Sequence, residues 1–167
     1  MSVVVLGYNV CKEMLMKDSK IGVDFTLKLM SRLNFFDRFS PSERADLVKF
    51  HQHYVVYSAG ETVIEEGTHE DSFFIVLSGS AVVTTGTRTN TIAKVAPGDI
   101  VGEIAFLTKR PRSATVIAEK EFIVIKVDET MLKHLEAKTR EKFKDIFIEK
   151  LIDRLYVMND LSEGSLM

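Results

Sequence analysis

The stretch from Val101 to Thr115 holds the residues best suited to chemistry. It contains Gly102-Glu103-Ile104-Ala105 and, after a short spacer, Pro111-Arg112-Ser113-Ala114. An arginine carries a planar, permanently charged fork whose N–H groups match two oxygens of a phosphate. A glycine ahead of a short helical turn lets an anion approach the backbone, because no Cβ intervenes. The first amides of such a turn, here those of Ile104 and Ala105, have no partner within the helix and are placed to donate to an anion. Glu103, when ionised, only accepts hydrogen bonds, so it complements a hydroxyl and repels a second phosphate. Each residue also has a plainer reading when taken alone. Arg112 is then a solvated surface arginine, Glu103 a helix-start carboxylate answering the helix dipole, and Gly102 ordinary turn chemistry.

The elements that must position these groups divide by hydrophobic period. Residues 1–52 and 129–158 read as helical, and residues 53–127 as a run of short strands. The strand candidates are HYVVY, TVIEE, FFIVLSG, SAVVTTG, TIAKV, SATVIA and FIVIKV. Turns are expected at Ser58-Ala59-Gly60-Glu61 and Ala96-Pro97-Gly98-Asp99, the second as type II with Pro97 and Gly98 at its centre. No segment between strands is long enough for a parallel crossover. The pattern therefore predicts a mainly β fold with flanking helices: a double-sheet, jelly-roll-like β-roll with N-terminal helices and a long C-terminal helix. Ser40-Pro41-Ser42-Glu43 predicts a capping box opening a helix that ends near Phe50, and a shorter amphipathic helix is expected over roughly 24–33. Asp128 is a plausible N-cap for the last zone. Phe143, Ile146, Phe147, Leu151, Ile152 and Leu155 then recur at helical spacing, predicting a helix over 139–158.

The cassette from Val101 to Thr115 resembles the phosphate-binding cassette of cyclic-nucleotide-binding domains. In that family a pattern close to F-G-E-[IL]-A-L is followed by a short spacer and P-R-x-A-[TS]. The family includes regulatory subunits of cyclic-nucleotide-dependent kinases, cyclic-nucleotide-gated channels and the bacterial catabolite activator. The likeness extends upstream through Gly60-Glu61, Gly67, Asp71, Phe73, Ile75, Gly79 and Gly98-Asp99, and covers roughly residues 34–134. It departs at Val101, where phenylalanine is common, and at Phe106, where an aliphatic residue is common; both bear on packing rather than on charged contacts. The resemblance implies a cAMP or cGMP ligand, cAMP being favoured, and no cofactor. Arg112 and the amides of Ile104 and Ala105 would hold the cyclic phosphate, and Glu103 the ribose 2′-hydroxyl. Ser113 would reach the phosphate or a base edge, and Ala114 would keep the strand thin beside the ligand. Val83 and Ile92 would contact ribose or base from the opposite sheet.

Bulk properties narrow the alternatives. A formal net charge of −2 over 167 residues gives no global basic field for nucleic acid or an anionic membrane, so any anion site is local. Cys11 is the single cysteine, which precludes an intrachain disulfide. No stretch reaches the ~20 apolar residues of a membrane helix, and a cytoplasmic location is expected. An enzyme is not expected. There is no G-x-S-x-G and no phosphate-loop motif, and no helix-turn-helix is expected after the last helix. The enzyme alternative is a metal-dependent cupin, for which His51-Gln52-His53 supplies an H-x-H pair. The glutamate expected next is replaced by Tyr57-Ser58, and no histidine after Gly98 closes the site. A third reading is a degenerate roll that serves only as an interaction domain.

The expected organisation is an N-terminal arm over 1–23, the β-roll with its N-terminal helices over 24–138, a lid or interaction helix over 139–158, and a frayed tail over 159–167. The last helix would close over the base through Leu151, Leu155 and Tyr156, stay fixed to the roll, or pair with a second copy as a homodimer. A stand-alone receptor of this kind would relay binding to an effector protein.

Overall fold

The computed structural model describes residues 19–50, 53–86 and 90–163. Residues 1–18 of the expected arm, His51 of the H-x-H pair and the end of the expected tail lie outside them.

Two four-stranded sheets face each other. One has the order β1-β8-β3-β6, from Tyr54–Tyr57 (β1), Phe122–Asp128 (β8), Ser72–Ser78 (β3) and Ile100–Val101 (β6). The other has the order β2-β7-β4-β5, from Thr62–Ile64 (β2), Thr115–Ala118 (β7), Ala81–Thr85 (β4) and Asn90–Val95 (β5). Every pairing is antiparallel. This is the expected β-roll, and each sequence-predicted strand is present; β6 is an addition.

The central strands explain the layering. On β3, Phe73, Ile75 and Leu77 join one core cluster while Phe74 and Val76 join the other. On β8, Ile123, Ile125 and Val127 alternate in the same way with Phe122 and Val124. A strand's side chains alternate between its two faces, so these strands are buried on both and read as continuous apolar runs. One cluster fills the space between the sheets. The other lies between the β1-β8-β3-β6 sheet and the helices.

Those helices are α1 (Ser19–Met30), a 3-10 segment (Asn34–Arg38), α2 (Pro41–Lys49), α4 (Glu129–His134) and α5 (Ala137–Glu163), with α3 (Glu103–Thr108) inside the cassette. The capping box is as expected. Ser40 Oγ accepts from the Glu43 amide, and the Ser40 amide donates to the Glu43 carboxylate at 2.7 Å. Other boundaries differ from the sequence reading. The first helix spans Ser19–Met30 rather than 24–33, so it begins within the expected arm, and just past its end Ser31 Oγ donates to the Lys28 carbonyl and competes with the backbone ladder. Asp128 caps the short α4, which stops at Leu135 in extended backbone, and a second helix then starts. That helix runs past 158 to Glu163; no glycine or proline interrupts the sequence before Gly164.

An aromatic chain ties the helices to the sheet. The Phe73 ring meets Phe106 of α3 at 5.1 Å and Phe147 of α5 at 4.7 Å, both edge to face. Phe143 of α5 meets Phe39 at 5.1 Å. Phe106, the departure noted in the cassette, thus joins the cassette helix to the C-terminal helix through one ring.

Candidate functional site

The cassette is built by a strand, a left-handed glycine and a short helix. β6 ends at Val101, Gly102 follows at φ +82°, and α3 begins at Glu103. A Cβ on Gly102 would stand 2.4 Å from Arg112 Nη1 and 3.1 Å from the Ile64 side chain. Glycine is required here both for its backbone angle and for the guanidinium pressed against it. α3 ends at Lys109, a non-glycine residue at φ 56°. Its ammonium is anchored by Glu129 at 2.7 Å and Asp71 at 3.3 Å, and lies 4.8 Å from the centre of the Phe106 ring.

The chain then returns to present Arg112. Its amide donates to the Thr68 carbonyl, and its carbonyl accepts from the Gly67 amide, both at 2.8 Å. The side chain is buried, at 3% exposure for the whole residue. Nη1 donates to the Gly102 carbonyl at 2.9 Å, and Nη2 to Ser72 Oγ at 3.2 Å and to Glu70 at 3.4 Å. Nε–H is buried with no hydrogen-bond partner. A buried, unpaired donor on a charged group is costly, and the Arg112 Nε–H is open to an acceptor from outside the protein.

Glu103 is 1% exposed. Burial pushes its carboxyl above the usual range, while Arg154, its own backbone amide and the charge of Arg112 pull it down; burial wins. Arg154 comes from α5: one guanidinium nitrogen is hydrogen-bonded to Glu103 Oε1 and the other donates to the Ile100 carbonyl at 3.0 Å.

The structure brings Gly102, Glu103 and Arg112 together. Ala105 is buried. Ile104 is 44% exposed, so its place in the cassette is a matter of its amide rather than its side chain. Ser113 is exposed and Ala114 half-buried beside Arg112. Val83 is half-buried against the inter-sheet cluster, paired with Val116 and Ala93. Ile92 is 60% exposed on edge strand β5, at the register shift opposite Val83 and Thr84. Leu155 and Tyr156, expected as caps, are 60% and 67% exposed. Sequence reasoning missed Arg154, Glu70 and Ser72. Glu70 and Ser72 flank Asp71, which the resemblance did mark, but nothing in their spacing aims them at Arg112. For Arg154 the only signal is one basic residue among many on a long helix.

Among the described residues no three His, Cys, Asp or Glu side chains are grouped to hold an ion. His53 Nδ1 donates to the Lys126 carbonyl at 3.1 Å. No described helix is long and apolar enough to cross a membrane.

Two antiparallel four-stranded sheets, flanking helices, a long C-terminal helix and a short helix packed on a buried arginine define the class of β-roll to which this chain belongs. The chain belongs to the cyclic nucleotide-binding domain family, whose model matches residues 54–138. It is 31% identical over 107 residues to a cAMP-dependent protein kinase regulatory subunit of Aspergillus fumigatus; the match covers 64% of this chain and 24% of that protein. The matched stretch is therefore a minor part of that relative's length. Among solved structures, PKAR CBD2 with bound Sp-2Cl-cAMPS matches with a TM-score of 0.67 and 27% identity, over 86% of this chain and 94% of the other. A cAMP-bound PfPKA-R matches with a TM-score of 0.64 and 29% identity, over 90% and 50%.

Proposed function

We propose that this chain is a cyclic nucleotide receptor that binds cAMP in the cassette and relays occupancy through α5 to a partner protein. The observation that carries this reading is the buried Arg112, whose Nε–H lacks a partner beside Gly102 and the first turn of α3. The cyclic phosphate would lie on this guanidinium and on the amides of Ile104 and Ala105. The ribose 2′-hydroxyl would donate to Glu103, with Ser113, Ala114, Val83 and Ile92 around the remainder of the ligand. The relatives support cAMP over cGMP, since two matching structures hold cAMP or an analogue of it. Their role as kinase regulatory subunits supports a regulatory rather than a catalytic function, with a kinase as the class of partner.

Arg154 gives the relay a physical form. It joins α5 to the same carboxylate that would hold the ribose, so ligand and helix share one group. A ligand shifts an equilibrium only through differential contacts, and this pair supplies one. Pairing with a second copy, the other role expected of the helix, would use the exposed Ile148, Ile152 and Leu155.

The test is a thermal shift panel with cAMP, cGMP, AMP and a cyclic dinucleotide. A ligand at a hundred times its dissociation constant stabilises by ~2.7 kcal/mol, about 5–10 °C for a chain of this size. Arg112→Ala is expected to weaken cAMP binding at least roughly tenfold while the fold survives, because the phosphate loses its main counter-charge. Equal affinity of variant and parent by calorimetry refutes the assignment. One observation favours a second reading: Arg112 and Glu103 both bond to the protein's own groups. That suits a roll serving only as an interaction domain, and a panel without any nucleotide shift would select it.

A further inference from the structure

We propose that Glu70 is a resident rival of the ligand's phosphate for Arg112, with Lys126 drawing it away and so setting the affinity. This inference rests on the reading of the cassette as the cyclic nucleotide site. A guanidinium has five N–H groups in a fixed plane, and a phosphate is gripped through two adjacent ones. On Arg112 the Nε–H has no partner, and its neighbour on the fork is Nη2. Nη2 is already committed to Ser72 at 3.2 Å and to Glu70 at 3.4 Å. A phosphate taking Nε and Nη2 together must displace one of them. Ser72 is neutral and 2% exposed. Glu70 is an anion with the longer bond and a side chain 42% exposed, so it is both the easier to displace and the one that repels a phosphate.

The other oxygen of Glu70 accepts from Lys126 at 2.5 Å. Burial acts to raise the Glu70 carboxyl, but Lys126 and Arg112 together bring it below its usual range, so it is ionised at neutral pH. Lys126 therefore offers Glu70 a second cation at the rim while Arg112 stays buried. Glu70 lies outside the cassette motif, and its effect would vary between chains that share the same arginine.

The experiment is calorimetric titration of the full chain with cAMP near neutral pH, for the parent, Glu70→Gln, Lys126→Gln and the double variant. Removing a part-exposed rival charge is expected to tighten binding roughly threefold to tenfold in Glu70→Gln. Lys126→Gln is expected to weaken binding about threefold in the parent and to have a smaller effect once Glu70 is gone. A merely structural role would never tighten binding. Equal or weaker binding by Glu70→Gln with an unchanged melting temperature overturns the inference, as does a Lys126→Gln loss of the same size in both backgrounds. The parent separates the two failures. If it binds cAMP through Arg112 and Glu70→Gln does not tighten, only the rivalry falls; if it binds no cyclic nucleotide, the cassette reading falls and takes the rivalry with it.

Discussion

Substituting Gly102 by alanine places a methyl group where Arg112 Nη1 now lies, 2.4 Å from the new Cβ. The guanidinium is the end of a long side chain, and on an open surface it would simply move. Here it is buried and bonded to the Gly102 carbonyl, so moving it breaks that bond in a place water does not readily reach. Losing a charge-assisted buried hydrogen bond costs about 1.5–3 kcal/mol, and a non-glycine residue at φ +82° costs about 1 kcal/mol more. The expected destabilisation is about 2.5–4 kcal/mol, a fall of roughly 5–15 °C in melting temperature. Nucleotide affinity should fall with it, because the fork is displaced from its place beside Gly102. The discriminating assay repeats the substitution in an Arg112→Ala background, read by thermal melting. There only the backbone cost and the 3.1 Å approach to the Ile64 side chain remain, and the loss should shrink to about 1–2 kcal/mol. If Gly102→Ala costs the same in both backgrounds, the close packing of glycine on arginine is not what the position is for.

Two other perturbations follow from the charged contacts of α5. Burial pushes the Glu43 carboxyl up, but Lys142, the Ser40 amide and the Ser40 side chain hold it down to about 2. Its folded value lies below the usual carboxylate range, so its contribution is complete at neutral pH and is lost as the pH falls through that range toward about 2. Glu43→Gln should lower the melting temperature at pH 7 by about 2–4 °C, and the gap to the parent should close on acidification over that range. Arg154→Ala removes a cation that lowers the Glu103 carboxyl, so burial should raise that carboxyl further. Binding of cAMP, titrated as the pH is lowered, should then fail at a higher pH than in the parent. Hydrogen exchange across 139–158 should respond to cAMP in the parent and lose that response in the variant. No response in the parent removes the relay through α5.

The roll was legible because its strands are bounded by turns whose chemistry is local. Ala96-Pro97-Gly98-Asp99 closes with the Asp99 amide on the Ala96 carbonyl at 3.0 Å, with Gly98 at φ +92°, as a type II turn requires. The capping box at Ser40 was legible for the same reason, since its partners are three residues apart. β6 escaped because two residues carry no period. The division of the last zone at Leu135 escaped because no proline or glycine marks it. At the site, the cassette spacing exposed Gly102, Glu103 and Arg112, which lie within one short segment. Their partners were hidden by distance along the chain: Glu70 and Ser72 stand 42 and 40 residues before Arg112, and Arg154 stands 51 residues after Glu103. A contact between distant residues leaves no periodic trace in one sequence.

The C-terminal helix is unevenly fastened along its length. Near its start, Lys142 and Thr139 bond to the buried Glu43, and Phe143, Ile146 and Phe147 are sunk in the aromatic cluster. From Ile148 onward the large apolar side chains Ile148, Ile152, Leu155, Tyr156 and Val157 are exposed, and Arg154 reaches back to the cassette. Its foot is buried as far as Phe147, and the part beyond is held at the rim by Glu149 on Arg38, Lys150 on Asp99 and Arg154 on Glu103. Ten residues of helix beyond Phe147 span about 15 Å, so a tilt of roughly 10° would carry its end about 2–3 Å. Loosening those part-exposed rim ties together would thus be magnified into a stroke wide enough for a neighbouring molecule to feel.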